Sequence, residues 1–313
     1  MRKNKRIETP SAFPAGILVL GLLAAAACGG GEAPDTTPPD AVTGLTAAAG
    51  DGEITLSWNA SDADDFSHYR VYQGTSPTSM DPLAEEPEEA GLTISSGLAD
   101  GTTYSFAVSA VDEAGNESSQ AGPVQVTATS VVHETVQGWT AFEAEDYAGA
   151  SSRFQQALDF DGGHADAHLG LGWTRAFLGE LSDAAASLSA ANSSGLSTPD
   201  AHAGLAVVYR DLPDLVQCVS RAAMVLTADA SWSFPHRSSI DHQDMRLIRA
   251  QAYYRMGPSG YPDAQSEVDI LDPANGLDPA DPGTWSVDGQ LYPTYAEALL
   301  KVIEGLAQSI GVP

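Results

Sequence analysis

Tyr147-Ala-Gly-Ala150-Ser-Ser-Arg-Phe154-Gln-Gln-Ala157-Leu158, answered one period later by Leu181-Ser-Asp-Ala184-Ala-Ala-Ser-Leu188-Ser-Ala-Ala191, decides the fold of the C-terminal half of this chain. Ala150 and Ala184, Phe154 and Leu188, and Ala157 and Ala191 each stand 34 residues apart. Gly138, Gly172 and Ala206 keep the same step. Small and apolar residues recurring at three and four positions mark one stripe of a helix. Their return at a fixed longer interval predicts a stack of helical hairpins, because one such unit cannot bury its apolar face alone.

The two stretches resemble the second helix of a tetratricopeptide repeat, and Leu171-Gly172 with Gly179 resembles its first helix and turn. On that resemblance, residues 131–272 hold four repeats that begin near Val131, Ala165, Pro199 and Gln243. Ala150, Ala184, Cys218 and Ala264 then occupy the close contacts of the second helices, which makes Cys218 a buried structural thiol rather than a reactive one. An insertion, roughly Trp232 to His242, breaks the period before the fourth repeat. Residues 273–313 read as an Asp/Pro-rich connection, whose Asx-Pro steps favour turns, and a helix from Tyr295 that caps the apolar end.

The family holds extended peptides on a concave face lined by the first helix of each repeat. Here one face of those helices runs through Trp139 and Phe142, Trp173 and Phe177, Arg210, and Tyr254 with Arg255. Aromatic and arginine side chains are the usual interface anchors, so this stripe would suit a peptide with an apolar part and a carboxylate. Trp139 and Trp173, at equivalent places, are also consistent with packing between helices or beneath the insertion. The residues alone leave both readings open.

Over residues 41–129 the pattern changes to alternation of period two. Ile54, Leu56 and Trp58 share one strand face, Tyr69 and Val71 a second, and Tyr104, Phe106, Val108 and Ala110 a third. Short strands separated by Gly, Asp and Asn turns predict an antiparallel sandwich. Leu98 to Asp112, with Trp58 and Tyr69 to Tyr72, is similar to a fibronectin type III domain and includes its tyrosine corner. The expected fold class is therefore multidomain, an all-β immunoglobulin-like sandwich followed by an all-α helical-repeat solenoid. Asp62, Asp64 and Asp65 read as a solvated acidic turn rather than a calcium site.

Arg2, Lys3, Lys5 and Arg6 precede an apolar run from Ile17 to Ala27 and then Cys28, the arrangement of a signal peptide over residues 1–27. Ala25-Ala26-Ala27 before Cys28 and Gly29 after it resemble a bacterial lipoprotein cleavage box, although Leu23 lies two places upstream of where that family prefers leucine. The resemblance implies acyl chains on Cys28 and a flexible tether over residues 28–40. It also implies an envelope location, by Gly29 at the outer membrane. The chain carries a formal net charge of −28. A field of that sign repels phosphate backbones and excludes nucleic acid as a partner.

No catalytic signature is legible: the chain holds no His-Glu-x-x-His helix, serine elbow or phosphate loop. His168 and His202 occupy equivalent places in successive repeats, which lie about 10 Å apart, too far to share a zinc ion bound at about 2 Å. His236 and His242, with Asp241 and Asp244 nearby, mark a polar spot at the insertion. The sequence thus predicts a non-enzyme without metal or cofactor, a scaffold that binds an envelope protein or peptide and is held at the membrane by its lipid. Two other readings are an adhesion or glycan-binding protein working through the sandwich, and an accessory subunit of an envelope enzyme or secretion complex.

Overall fold

A computed structural model of the chain describes residues 34–84, 86–195 and 198–310. The leader over residues 1–27, the lipidation candidate Cys28 and the start of the tether lie outside the described residues.

Seven strands form the sandwich: β1 (Thr46–Ala49), β2 (Ile54–Ser57), β3 (Phe66–Ser76), β4 (Ser79–Pro82), β5 (Gly91–Ile94), β6 (Thr103–Asp112) and β7 (Ala121–Thr127). Three antiparallel strands in the order β1-β2-β5 face four in the order β4-β3-β6-β7. The period-two residues meet between the sheets, where Ile54, Leu56, Val71, Phe106 and Val108 are fully buried and Trp58 packs edge-on against Tyr69 at 5.2 Å. The Tyr104 hydroxyl accepts the Ala99 N–H at 3.0 Å and donates to the Gly97 carbonyl, fastening the β5–β6 crossover to the sheet. Ser79 to Pro82 adds a short edge strand, because β3 extends far enough to offer it backbone partners.

Eight helices follow in antiparallel pairs: α1 (Val131–Glu143) with α2 (Tyr147–Phe160), α3 (Ala165–Phe177) with α4 (Leu181–Ser193), α5 (Pro199–Asp211) with α6 (Leu215–Ala228), and α7 (His242–Arg255) with α8 (Tyr261–Leu271). Ser130, Asp146, Asp214 and Asp241 each accept a backbone N–H from the first turn they precede. Such caps satisfy donors that no helix can pair by itself.

The glycine at the repeat step has a steric cause. A Cβ on Gly138 would stand 2.6 Å from the Phe154 ring, and one on Gly172 would stand 2.5 Å from Leu188. The first helix of each pair must lie against the large residue of the second, which is why Gly138 and Phe154 in one repeat are matched by Gly172 and Leu188 in the next. Ala150, Ala184, Cys218 and Ala264 are all fully buried. Burial pushes the Cys218 thiol up to about 11, which leaves it protonated and inert.

Two further features complete the array. A short hairpin of β8 (Ser286–Val287) and β9 (Gln290–Leu291) leads into α9 (Tyr295–Ile310), whose Ala298, Leu299, Val302 and Ile303 close the end of the stack against α7 and α8. At the other end the sandwich is joined without slack. The Thr129 hydroxyl donates to Glu134 at 2.5 Å, the Ser130 hydroxyl to Asp100 at 2.6 Å, and the Val131 N–H to Asp51 at 2.8 Å.

Candidate functional site: the concave face and the segment that fills it

The first helices α1, α3 and α5 line up side by side, and the stripe read from the sequence falls on their shared face. It is not an open groove. Residues 229–241, which connect α6 to α7, fold back over it, so that Trp139, Phe142 and Trp173 are 6%, 1% and 0% exposed. For these three residues the structure corrects the picture of exposed groove-lining side chains. The chain places its own aromatic loop on them.

Phe234 is the centre of that contact. Its ring stacks on Trp173 at 4.4 Å and meets Trp139 and Phe142 edge-on, each at 6.1 Å. The His236 ring lies flat on Trp139 at 3.7 Å, and its Nδ1 is 2.9 Å from the Glu143 carboxylate. Arg237 sits over the Phe177 ring at 4.8 Å, donates to the Tyr147 hydroxyl at 2.5 Å and pairs with Glu145 at 3.1 Å. Ile240 and Trp232 complete the buried side of the loop. The loop holds its own shape through backbone bonds, from the Phe234 N–H to Ile240 and from the His242 N–H to Trp232.

The tryptophans also tie neighbouring repeats together. The Trp139 indole N–H donates to the Asp166 carboxylate at 3.2 Å, and that of Trp173 donates to the Asp200 backbone carbonyl at 3.1 Å. Each indole therefore reaches the first turn of the next repeat at the same sequence offset. Periodic structure accounts for the periodic residue. The Asp200 carboxylate then receives the Trp232 indole N–H at 2.7 Å, and burial still holds its pKa above the ordinary carboxylate value.

The remaining residues of the stripe lie beyond the loop. Phe177 is half-buried and stacks on Tyr147 at 5.0 Å. Arg210 pairs with Asp211 at 2.8 Å, and its carbonyl accepts from the exposed Arg255 at 2.8 Å. Tyr254 stacks on Tyr261 at 5.2 Å among the residues packed toward α9, and does not share the surface of Trp139 and Trp173. Between α3 and α5 the face stays open as a cavity of about 170 Å³ lined by Trp173, Ala176, Phe177, Leu181, Val207 and the Arg210–Asp211 pair.

A wider cleft of about 630 Å³ lies at the junction with the sandwich. Its charged pair, Glu134 and Arg153, is already closed at 2.9 Å. Asp35, Asp65 and Asp112 bring carboxylate oxygens within 4.8 Å of one another, but Asp112 is taken up by the backbone and side-chain N–H groups of Asn116. The polar spot around the insertion resolves into separate duties: His236 stacks and pairs as described, while Asp241 and Asp244 form the capping box of α7. In that box Asp244 is fully buried, one of its oxygens has no hydrogen-bond partner, and burial pushes its pKa up to about 6.

Packing of Trp139 and Trp173 beneath the insertion is the sequence reading that the structure follows, but sequence reasoning did not single out Trp232, Phe234, His236, Arg237 and Ile240 as the residues that occupy the face. The signal was present. A loop carrying Trp and Phe beside Pro235 is too apolar to be left in water.

The geometry defines a class of protein before any comparison: an antiparallel β-sandwich in series with a capped helical-hairpin array. Residues 40–127 match the model of the fibronectin type III domain, and residues 141–208 match that of the tetratricopeptide repeat. The chain therefore carries a domain of the first kind and repeats of the second, both typically non-catalytic and the latter suited to protein interaction.

Among individual proteins, Chitinase Chi52 of Paenibacillus xylanexedens is 38% identical over 106 residues, 32% of this chain and 19% of its own length. Chitinase A1 of Niallia circulans is 40% identical over 116 residues, 35% of this chain and 16% of its own. The chain thus spans less than a fifth of either relative, and the likeness belongs to the sandwich. In structure, the Fn3-like protein of Clostridium thermocellum is 28% identical over 29% of this chain and 95% of that one, with a TM-score of 0.26. YrrB, a TPR protein described as having an unusual peptide-binding site, is 14% identical over 57% of this chain and 87% of its own, with a TM-score of 0.42. Among the described residues no helix is long and apolar enough to cross a membrane.

Proposed function

We propose that this chain is a non-catalytic envelope scaffold that is exported, acylated at Cys28 and held at the outer membrane, and that binds an envelope protein or peptide on the concave face of its repeats. The sandwich serves as the spacer between tether and array. One observation carries the reading: the loop leaves part of the face uncovered, and the cavity of about 170 Å³ there combines Trp173 and Phe177 with Arg210 at its edge. An apolar side chain has room to enter between α3 and α5, with a polar group of the partner beside the Arg210–Asp211 pair. Nothing in this role calls for a metal or a cofactor.

Filling the cavity tests this reading. The full mature chain and an Ala176→Trp variant, matched by circular dichroism, are used to capture partners from detergent-solubilised envelope. The expected result is a partner recovered by the unmodified chain and lost from the variant. Equal recovery by both sinks the role of the concave face. The likeness of the sandwich to parts of two chitinases supports a second reading, adhesion or glycan binding through the sandwich, and recovery that follows sandwich-surface variants instead would establish it.

A further inference from the structure

We infer that residues 231–241 are a built-in ligand of the concave face, and that the external partner this face accepts is an extended segment of the same chemistry: an aromatic residue, then proline, then basic residues. The inference rests on the reading of the concave face as the binding surface and adds what that surface selects. Three features of the contact carry it.

First, the contacts are those of recognition rather than of generic core. Phe234 stacks on one tryptophan and meets the other edge-on, His236 lies flat on Trp139, and Arg237 covers Phe177 while paired to Glu145. Aromatic and arginine anchors of this kind concentrate binding energy at interfaces. Second, charge is complementary across the contact. The segment contributes the Arg237 guanidinium, paired to Glu145 in the α1–α2 turn, and the His236 ring, whose Nδ1 lies 2.9 Å from Glu143 at the end of α1, so carboxylates of the array meet nitrogen groups of the insert. Third, the occupied and the open parts of the face are continuous. Trp173 both stacks on Phe234 and lines the uncovered cavity. A partner residue entering that cavity reaches the wall that Trp173 shares with the Phe234 stack, and an aromatic of the partner takes the place of Phe234 as the loop lifts away.

The energetic consequence is competition. A segment tethered at both ends acts at an effective concentration of about 1 mM, so it weakens an external competitor of the same sequence by a large factor without any new contact. The face is then closed to weak ligands and open to those that bind better than the insert.

The test uses a fluorescent synthetic peptide, Ser-Trp-Ser-Phe-Pro-His-Arg-Ser-Ser-Ile-Asp, which copies residues 231–241, and three forms of the full mature chain. These are the unmodified protein, a variant whose residues 231–240 are replaced by a Gly/Ser linker of equal length, and Phe234→Ala. Binding is read by anisotropy. The peptide is expected to bind the linker variant at least about 100-fold more tightly than the unmodified chain. A peptide with Phe234→Ala is expected to lose at least about 30-fold of that affinity.

If the linker variant keeps its helical content and binds no peptide, residues 231–241 are core and the inference falls. It also falls if all three proteins bind equally, or if the altered peptide binds as well as the original. Should the linker variant fail to fold, the Phe234→Ala chain decides. Peptide that raises its melting temperature in a saturable way supports the built-in ligand, and peptide that leaves it unchanged overturns it. A negative result in these assays together with a partner lost from Ala176→Trp leaves the scaffold role standing and removes only the claim about what the face selects.

Discussion

The sandwich and the repeat array solve the same problem in different ways. The sandwich buries its apolar faces against each other, so that two sheets of three and four strands close one core between Ile54, Leu56, Val71, Phe106 and Val108. The array has no second sheet to face. Its hairpins bury their sides against neighbours, but the concave stripe and the terminal hairpin have nothing opposite them. Residues 229–241 cover the first and α9 covers the second. A module that closes on itself needs no additions. A module built by translation does, and the additions are where a repeat protein acquires individual character.

The two halves also treat buried carboxylates in opposite directions. In the sandwich, burial would raise Asp112, but the side-chain and backbone N–H groups of Asn116 outweigh it and hold the carboxyl below its usual range. Glu117 behaves likewise, with burial outweighed by the hydroxyls of Ser109 and Tyr72 and by Arg70. In the array, the covered Asp200 and Asp244 are raised by burial, whereas Asp229 at the start of the insertion is exposed and is lowered by bonds from Ser231. A lowered carboxyl stabilises its domain above the unfolded pKa and stops doing so as pH falls. A raised one does the reverse.

Phe234→Ala should break the comparison most severely. Removing a fully buried ring at the centre of the loop is expected to cost the array about 3–5 kcal/mol. The sandwich transition in calorimetry should stay where it was; if both transitions fall together, the halves are one cooperative unit and the contrast drawn above is wrong.

Gly172→Ala comes next, at about 1–3 kcal/mol, since its Cβ meets Leu188 at 2.5 Å and the Leu188 backbone N at 3.0 Å. Denaturant midpoints for this variant beside Gly305→Ala sharpen the point. Gly305 has open space around it in α9, so alanine there should stabilise by up to about 1 kcal/mol.

Asp244 gives the pH prediction. Its folded pKa of about 6 lies above the unfolded value of about 3.9, so the folded array holds the proton more tightly. Its contribution to stability is largest below about pH 4 and falls as pH rises to about 6, a change on the order of 2 kcal/mol. Asp244→Asn should flatten that segment of the array's stability-pH curve, measured by urea unfolding at pH 4 to 7. An unchanged slope would mean the carboxyl is not held protonated. Tyr104→Phe is the smallest and falls on the other half: loss of the bonds to Ala99 and Gly97 should lower the sandwich transition by about 1 kcal/mol and leave the array alone.

Much of this architecture is legible from residue order because each half is governed by short-range periodicity. Alternation at two placed Tyr104, Phe106, Val108 and Ala110 on one face, and the step of 34 placed Gly138 against the same kind of neighbour as Gly172. The candidate site was only half legible. The stripe of Trp139, Phe142, Trp173 and Phe177 is a correct reading of one helix face, but whether that face meets solvent depends on a segment some sixty to ninety-five positions further along the chain. A loop has no period from which its path can be read.

By itself, then, the sequence determined the two fold classes, the positions that must stay small, the buried thiol and the capping helix from Tyr295, since all of these follow from propensity, sterics and local repetition. Only the tertiary structure decided that Phe234 and His236 lie on the two tryptophans, that the indoles stitch the first repeat to the second and the second to the third, and that the open part of the concave face shrinks to the space beside Trp173 and Arg210. Those outcomes depend on where a non-repeating segment of chain comes to rest, which is set by the burial of its aromatic side chains against distant partners and not by any pattern within it.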